Sequence, residues 1–214
     1  MGISMQDSKL AELARMISGW PGLVAGPAAD LVEDSLVLLG HLGTAVRVVD
    51  VGSGGGLPGL ALKLARPDLS ITLVEADHSK AAFLIQACAA LGLRDVDVIA
   101  RRAEEVGRDP AYREVFDVAV ARALAPMPVL VELCLPLVRV GGRLLAQKTE
   151  QEDVEAARHA IELLGGSLVG AFAARSGARR KGTVVVVGKV RPTPDAYPRR
   201  PGVPSRKPLG SPRP

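Results

Sequence analysis

The stretch RVVDVGSGGGLPGLAL, residues 47–62, decides the fold. It joins an apolar, β-branched run directly to a glycine-rich turn, and the turn leads into residues with helical character. Gly52, Gly54 and Gly56 permit positive φ angles and leave the main chain bare, so that a ligand can approach it closely. A turn without a ligand is a weaker explanation, because each glycine costs roughly 0.5–1 kcal/mol of chain entropy. The stretch therefore predicts a strand, a ligand-binding turn and a helix.

Strands and helices alternate along the rest of the chain, which predicts βαβ units and a mostly parallel sheet with helices on both faces. The seven predicted strands are residues 46–51, 70–76, 95–100, 116–121, 141–148, 167–173 and 182–189. The predicted helices are residues 9–18, 28–42, 57–65, 79–93, 127–138 and 150–164. The last two strands have no helix between them, so one of the two is expected to be antiparallel.

Three regions are expected along the chain. Residues 1–43 form an N-terminal helical segment, and residues 44–190 form the α/β domain. Residues 191–214 are rich in Pro and Arg, so we expect an extended basic tail without regular structure.

Composition and charge narrow the classes of function. No apolar run reaches the roughly 18–20 residues of a membrane span, and the N-terminus lacks the basic-then-apolar order of a signal peptide. Cys88 and Cys134 lie in apolar stretches without metal-ligand spacing. We therefore expect a cytoplasmic protein without a metal or a membrane partner. Residues 175–214 hold eleven Lys or Arg and one Asp, whereas the remaining 174 residues carry a net charge of −6, and this segregation favours a polyanionic partner.

The glycine turn could bind either of two cofactors. Gly54, Gly56 and Gly59 formally satisfy the dinucleotide pattern G-x-G-x-x-G, with Glu75 placed to bind ribose hydroxyls. Against a dinucleotide, Pro58 removes a backbone donor from the first turn of the helix, where a pyrophosphate is bound. The strand also meets the turn at Gly52, two residues before the dinucleotide fingerprint would begin.

S-adenosylmethionine fits the pattern better, because it carries no phosphate. Asp50 closes the first strand, and Glu75, followed by Ala76, closes the second. After the third strand, Ala103 offers its backbone and Glu104 a side-chain acceptor for the adenine amino group. The pattern predicts a cofactor site that includes Asp50, Gly52, Ser53, Gly54, Gly56, Glu75, Ala76, Ala103 and Glu104.

Four motifs, DVGSGGGLPGLALKLARPDL, ARRAEEV, VARALAP and YPRRPGVPSRKPLG, occur in this order. Together they resemble the bacterial small-subunit rRNA guanine-N7 methyltransferases, the RsmG or GidB family. The resemblance covers about residues 30 to 210. It implies a Rossmann-like class I methyltransferase fold with a seven-stranded α/β sheet. It also implies methyl transfer from S-adenosylmethionine to N7 of one guanine in 16S rRNA, near the decoding region, by a protein expected to be monomeric.

The resemblance also assigns roles to individual residues. Gly52 and Leu57 match the family's cofactor loop, Glu75 its acidic ribose ligand, and Ala103 and Glu104 its adenine-edge pair. Arg122 matches an arginine that borders the cofactor and the guanine pocket, so the resemblance adds Leu57 and Arg122 to the predicted cofactor site, which then has eleven residues. The residues that match the family's candidate catalytic and RNA-facing positions are Arg122, Lys148, Arg199, Arg200 and Lys207. The chain departs from the family where an Arg-His pair precedes "DS", because Asp30 and Leu31 stand at those places.

The chemistry requires few groups. Guanine N7 has an in-plane lone pair and no proton, so it can attack the methyl group without a general base. Arg122 is expected to orient the base or its phosphate, or alternatively to pair with Glu75 or Asp50. Lys148 is expected either to contact an RNA phosphate or to extend from a strand end towards solvent.

RNA is expected to bind the basic end of the chain. The predicted phosphate contacts are Arg179, Arg180, Lys181, Arg199, Arg200 and Lys207. Tyr197 could stack on a base or pack against the body. Two other functions remain open at this point: a nicotinamide-dependent oxidoreductase, and an RNA-binding module that has lost its cofactor.

Overall fold

The computed structural model describes residues 5–177 and 181–210, and these residues contain one seven-stranded sheet. The strand order is β3-β2-β1-β4-β5-β7-β6. The strands are β1 (Arg47–Val51), β2 (Ser70–Val74), β3 (Val96–Ile99), β4 (Phe116–Arg122), β5 (Val138–Lys148), β6 (Gly166–Ala173) and β7 (Thr183–Lys189). All seven predicted strands are confirmed, with ends that shift by a few residues. The predicted antiparallel strand is β7, which runs antiparallel to both β5 and β6.

Nine α-helical segments occur in the described residues. They are α1 (Met5–Ser18), α2 (Ala28–Ser35), α3 (Leu39–Leu42), α4 (Gly59–Ala65), α5 (His78–Ala90), α6 (Ala103–Val106), α7 (Met127–Cys134), α8 (Arg158–Leu163) and α9 (Val203–Arg206). The predicted helix over residues 28–42 is broken by a 3-10 turn at Leu36–Leu38. The one predicted over 127–138 ends in a 3-10 turn at Leu135–Leu137, and the one predicted over 150–164 begins only at the 3-10 turn Glu155–Ala157.

The sheet is buried on both faces, which is why its central strands are apolar throughout. Val48 of β1 belongs to the core under α1, α2, α4 and α5, whereas Val49 belongs to the core under α7 and α8. Side chains alternate between the faces of a strand, so a run of β-branched residues supplies both cores. The expected α/β fold with helices on both faces is therefore confirmed.

The C-terminal segment corrects one prediction. Residues 191–210 are not an extended tail, because they contain α9 and pack against α6 and α7. Arg108 and Arg113, on the loop after α6, donate hydrogen bonds to the carbonyl oxygens of Pro198 and Tyr197 at 2.6 and 2.8 Å. Proline prevents regular strands here but leaves the carbonyl groups free to accept side-chain hydrogen bonds. Tyr197 packs against the core, which agrees with the second of its two expected roles, packing against the body.

None of the helices in the described residues combines the length and the apolar character that crossing a bilayer requires.

Candidate active site

The loop between β1 and α4, residues 52–57, is called the glycine loop here. Gly52, Gly54 and Gly56 have φ angles of 73°, 54° and 82°, as the sequence predicted. A Cβ atom on Gly52 would lie 2.5 Å from Cδ1 of Leu124 and would displace the end of that side chain, and the positive φ itself favours glycine. The turn is built for close approach of the main chain to another group.

A cavity of about 460 Å³ lies over the glycine loop, at the carboxyl ends of β1, β2 and β4, and is called the glycine-loop cavity. Ligands of open α/β sheets bind at this edge, and the volume is in the usual range for a small-molecule site. Nine of the eleven residues predicted for the cofactor site line it: Gly52, Ser53, Gly54, Leu57, Glu75, Ala76, Ala103, Glu104 and Arg122.

The other two predicted residues, Asp50 and Gly56, are not among the lining residues. Asp50 is fully buried below the loop, where its Oδ2 accepts the Gly59 N–H at 2.8 Å at the start of α4. Its Oδ1 has no hydrogen-bond partner among the described residues. Burial raises the pKa of Asp50 to about 7, although the Gly59 N–H and the Arg122 charge act in the opposite direction. In this structure Asp50 supports the loop from behind.

Glu75 holds the glycine loop in place. One carboxylate oxygen accepts the Gly54 N–H at 2.8 Å, and the other accepts the Asp77 N–H at 2.8 Å. Asp77 in turn caps α5 by accepting from Ser79 and Lys80. The carboxylate is half-buried on the cavity wall, so its position is fixed before any ligand arrives.

The donors of the glycine loop are largely used within the protein. Gly52 and Ser53 donate their N–H groups to the Val74 carbonyl oxygen at 2.8 and 3.1 Å. Gly56 and Leu57 both donate to the Ser53 carbonyl oxygen. With Gly54 bound to Glu75, little of the backbone remains to form an anion-binding nest.

Glu104 forms the opposite end of the glycine-loop cavity. Its side chain is buried, and its Oε1 accepts the Gly202 N–H of the C-terminal segment at 2.8 Å. The exposed Arg102 guanidinium lies 3.4 Å from the same oxygen. The C-terminal segment therefore orients a carboxylate of the cavity wall, a contact between residues 98 positions apart.

Arg122 closes β4 at the rim of the glycine-loop cavity. Its Nη1 donates to the Leu31 carbonyl oxygen of α2 at 3.1 Å, so α2 helps to hold the guanidinium at the rim. The next residue, Ala123, adopts a left-handed φ of 52°, an unfavourable conformation for a residue with a Cβ. The turn places residues 122–124 between two cavities.

The second cavity, about 310 Å³ in volume, lies beside the end of β5 and is called the β5 cavity. It shares Arg122, Ala123 and Leu124 with the glycine-loop cavity. Its other lining residues are Ala125, Pro126, Gln147, Lys148, Thr149 and Glu152. The two cavities therefore meet at the turn after β4.

Lys148 is buried in the wall of the β5 cavity, with a side chain 7% exposed. Its ammonium group donates to the Ala125 carbonyl oxygen and lies 3.2 Å from Glu152 Oε1. These two partners hold the charge inside the wall, so the structure does not present Lys148 to an RNA backbone. The same Glu152 oxygen accepts the Met127 N–H at 2.7 Å, at the start of α7.

Four of the six predicted RNA-binding residues, Lys181, Arg199, Arg200 and Lys207, lie in the described part of the chain. Arg179 and Arg180 lie outside the described residues, and Lys181 is exposed next to them. Arg199 instead pairs with Glu132, which is fully buried, through Nη2 and Oε2 at 2.6 Å. The guanidinium that the sequence predicted to contact an RNA phosphate is therefore engaged in an internal ion pair. Arg200 and Lys207 are exposed on the C-terminal segment.

Sequence reasoning missed several lining residues. Leu23, Val24 and Ala25, from the loop between α1 and α2, pack over the glycine loop, and Val24 lies 3.2 Å from the position of a Gly55 Cβ. No local motif marks these residues, because they reach the cavity only through the fold. Gly55 could have been found from its place within the glycine loop.

Comparisons with known proteins identify the family. Residues 29–179 match the GidB family, described as rRNA small subunit methyltransferase G. Proteins named ribosomal RNA small subunit methyltransferase G are similar to most of the chain. The relative from Roseiflexus castenholzii is 49% identical over 168 residues, which cover 78% of this chain and 72% of the relative. The relative from Rubrobacter xylanophilus is 42% identical, over 95% of this chain and 84% of its own length.

Solved structures support the fold alone. The O-methyltransferase TomG from Streptomyces achromogenes, in complex with SAM, has a TM-score of 0.58 at 19% identity, over 86% of this chain and 91% of its own. The [4+2]-cyclase SpnF has a TM-score of 0.59 at 17% identity, over 89% and 98%. A methyltransferase and a cyclase thus share this architecture, so the assignment depends on the sequence relatives. By its match to the family and to these relatives, the chain belongs to the rRNA small subunit methyltransferase G family.

Proposed function

We propose that this protein transfers a methyl group from S-adenosylmethionine to N7 of a guanine in 16S rRNA. The observation that carries the proposal is the glycine-loop cavity, in which a bare main chain lies between two fixed carboxylates and offers little backbone to an anion. The family relationship supports the rRNA substrate, and the match to the RsmG family supports the N7 position. The assignment of individual residues below is part of the proposal.

The residues present fit S-adenosylmethionine. Gly52 leaves the main chain bare at the cavity wall, where a Cβ atom would displace the end of the Leu124 side chain. We assign the Glu75 carboxylate to the ribose hydroxyls and Glu104 to the adenine amino group, and both residues line the cavity of about 460 Å³. When bound, this cofactor supplies a methyl group on a positively charged sulfur.

The same contacts argue against a nicotinamide dinucleotide. A pyrophosphate needs free N–H groups at the start of the helix, whereas the Gly54 N–H is bound to Glu75 and Pro58 has none. A non-catalytic RNA-binding module is disfavoured because the cavity and both of its carboxylates are intact.

The protein needs to position the base rather than to remove a proton. Neither cavity has a histidine among the described residues that line it. Arg122 lies where the two cavities meet, and arginine is the usual partner of guanine O6. We assign Arg122 the role of orienting the base so that N7 faces the methyl group. Holding two reactants in line accounts for up to about 7–11 kcal/mol of a barrier in favourable cases.

The expected setting follows from the substrate. A 16S rRNA or small-subunit substrate places the protein in the cytoplasm, and we expect it to act as a monomer. Exposed basic residues on the C-terminal segment and at the tip between β6 and β7 are assigned to RNA phosphates.

Cofactor binding is tested by calorimetry with S-adenosylhomocysteine and with NAD. We expect heat of binding with S-adenosylhomocysteine and none with NAD. Binding of NAD alone would favour the oxidoreductase, and binding of neither would favour the non-catalytic module.

The reaction is tested on small ribosomal subunits from cells that lack this gene. The purified protein and tritiated S-adenosylmethionine are expected to yield labelled 7-methylguanosine after digestion of the 16S rRNA. Label in another nucleoside, or no label, would contradict the proposed reaction.

A further inference from the structure

The wall of the β5 cavity contains a carboxylate that the cofactor does not require. Glu152 Oε1 accepts from Met127 N–H at 2.7 Å and lies 3.2 Å from the Lys148 ammonium. No hydrogen bond to the other oxygen, Oε2, is found among the described residues, and the Glu152 side chain is 19% exposed. Glu152 is therefore fixed through one oxygen and keeps the other as an acceptor.

The cavity itself is placed for the base that receives the methyl group. It meets the glycine-loop cavity at residues 122–124, so a base inside it can turn one edge towards the cofactor. Its apolar lining from Leu124, Ala125 and Pro126 can contact the faces of a purine. Enzymes that modify a base commonly bind it in such a pocket, extruded from the RNA stack.

The shape of guanine decides which atoms face Glu152. N7 and O6 lie on one edge of the base, whereas the N1–H and N2–H₂ donors lie on the side away from N7. When N7 faces the glycine-loop cavity, these donors point into the β5 cavity. Adenine presents an acceptor at N1, which a carboxylate oxygen would repel.

We propose that Glu152 accepts hydrogen bonds from guanine N1–H and N2–H₂ and so selects guanine as the base to be methylated. Lys148 is then a positioning residue, because its ammonium group fixes Glu152 and does not contact the substrate. The inference rests on the proposed function and adds the residue that reads the base.

The test compares guanine with inosine, which differs only by the missing 2-amino group. Small subunits are reconstituted on 16S rRNA that carries either base at the methylated position, introduced by ligation of a synthetic segment. We expect the wild type to methylate the inosine subunit about 10–100-fold less efficiently in kcat/KM, since hydrogen bonds to charged groups are the strong ones. Equal rates on the two subunits would overturn the proposal without any variant.

Glu152→Gln supplies the second arm. We expect its activity on guanine to fall about tenfold or more, and its preference for guanine over inosine to shrink to about threefold or less. S-adenosylhomocysteine affinity should stay close to wild type, because an amide oxygen can still accept the Met127 N–H. Tm should fall, because the buried Lys148 ammonium loses its ionic partner, so all rates are compared well below the Tm of the variant. Glu150→Gln removes an exposed charge two residues away, outside the cavity lining, and should keep both the activity and the preference.

The possible outcomes distinguish a failure of the Glu152 inference from a failure of the proposed function. A Glu152→Gln enzyme that is slower but keeps the full preference would show that Glu152 only supports the start of α7, and would overturn the inference. A wild type that does not methylate the guanine subunit would instead contradict the proposed function.

Discussion

The glycine loop lines the glycine-loop cavity directly, whereas the C-terminal segment acts on the cavity only through Glu104, and the two regions are built differently. The loop is held by residues close in sequence, with Glu75 only 21 positions from Gly54. The C-terminal segment is held by contacts across 98 positions to Glu104 and 67 positions to Glu132. Local sequence is therefore enough to specify the glycine loop. The Glu104 carboxylate, in contrast, is oriented by the C-terminal segment, whose sequence resembles that of a disordered tail.

The largest expected effect tests whether the C-terminal segment is structural. Replacing Arg199 by Gln leaves the buried Glu132 carboxylate without its ionic partner. Uncompensated buried charges of this kind typically cost about 3–5 kcal/mol, and partial exposure of Arg199 places the expected loss near the lower end. Urea denaturation measures the loss.

The neighbouring Arg200→Gln is the matched control, because Arg200 is exposed and should change stability by less than about 0.5 kcal/mol. If the two variants have equal free energies of unfolding, the Arg199–Glu132 ion pair does not stabilise the fold and the segment behaves as a solvent-exposed tail.

The second prediction concerns the glycine loop. Gly52→Ala puts a Cβ atom 2.5 Å from Leu124 at a φ of 73°, so the loop or Leu124 must move into the cavity. We expect S-adenosylhomocysteine to bind at least about 30-fold more weakly, which corresponds to about 2 kcal/mol. Calorimetry gives the affinity.

Gly92→Ala has a similar φ of 61° but nothing within 4 Å of its Cβ, so it introduces backbone strain without the clash. If both variants bind S-adenosylhomocysteine with wild-type affinity, the glycine loop is not the cofactor site.

The two regions also show how far the sequence alone could reach. Pattern and turn chemistry predicted the seven strands and seven of the lining residues, because β-branched runs, glycines and strand-end carboxylates are local signals. The family resemblance supplied two more, Leu57 and Arg122. The prediction of an extended tail was wrong, because the C-terminal segment is held in place by Arg108, Arg113 and Glu132, which lie far from it in sequence. Leu23–Ala25 and the β5 cavity were missed for the same reason. Asp50 was expected on the cavity wall, but its carboxylate turns towards the N–H of Gly59 instead.

The third prediction uses the buried Asp50 beneath the glycine loop. Its pKa of about 7 in the folded protein exceeds its ordinary value of 3.8, so the folded state keeps a proton that the unfolded state releases between these values. The free energy of unfolding should therefore fall as the pH rises from about 4 to 7, by at most about 1.4 kcal/mol per pH unit from this group.

Asp50→Asn should remove this part of the slope, which denaturation at several pH values between 5 and 8 would measure against the wild type. Parallel stability curves for the two proteins would contradict the assignment.

The smallest expected effect is on RNA affinity and concerns the exposed basic residues of the C-terminal segment. Arg206→Gln and Lys207→Gln are each expected to weaken binding to small-subunit rRNA about two- to threefold. Each should also lower the salt slope by about one unit or less, as the loss of one phosphate contact would.

Arg94→Gln, exposed at the opposite edge of the sheet, is the control and should change neither quantity. If all three variants bind RNA alike, the RNA surface lies elsewhere and the segment serves the cavity alone.

The most direct test of the account is a crystal structure of the protein with S-adenosylhomocysteine. We expect the ligand in the glycine-loop cavity, with its ribose hydroxyls on Glu75, its adenine beside Ala103 and Glu104, and its sulfur turned towards the β5 cavity. A ligand bound elsewhere, or with its sulfur turned away from residues 122–124, would contradict it.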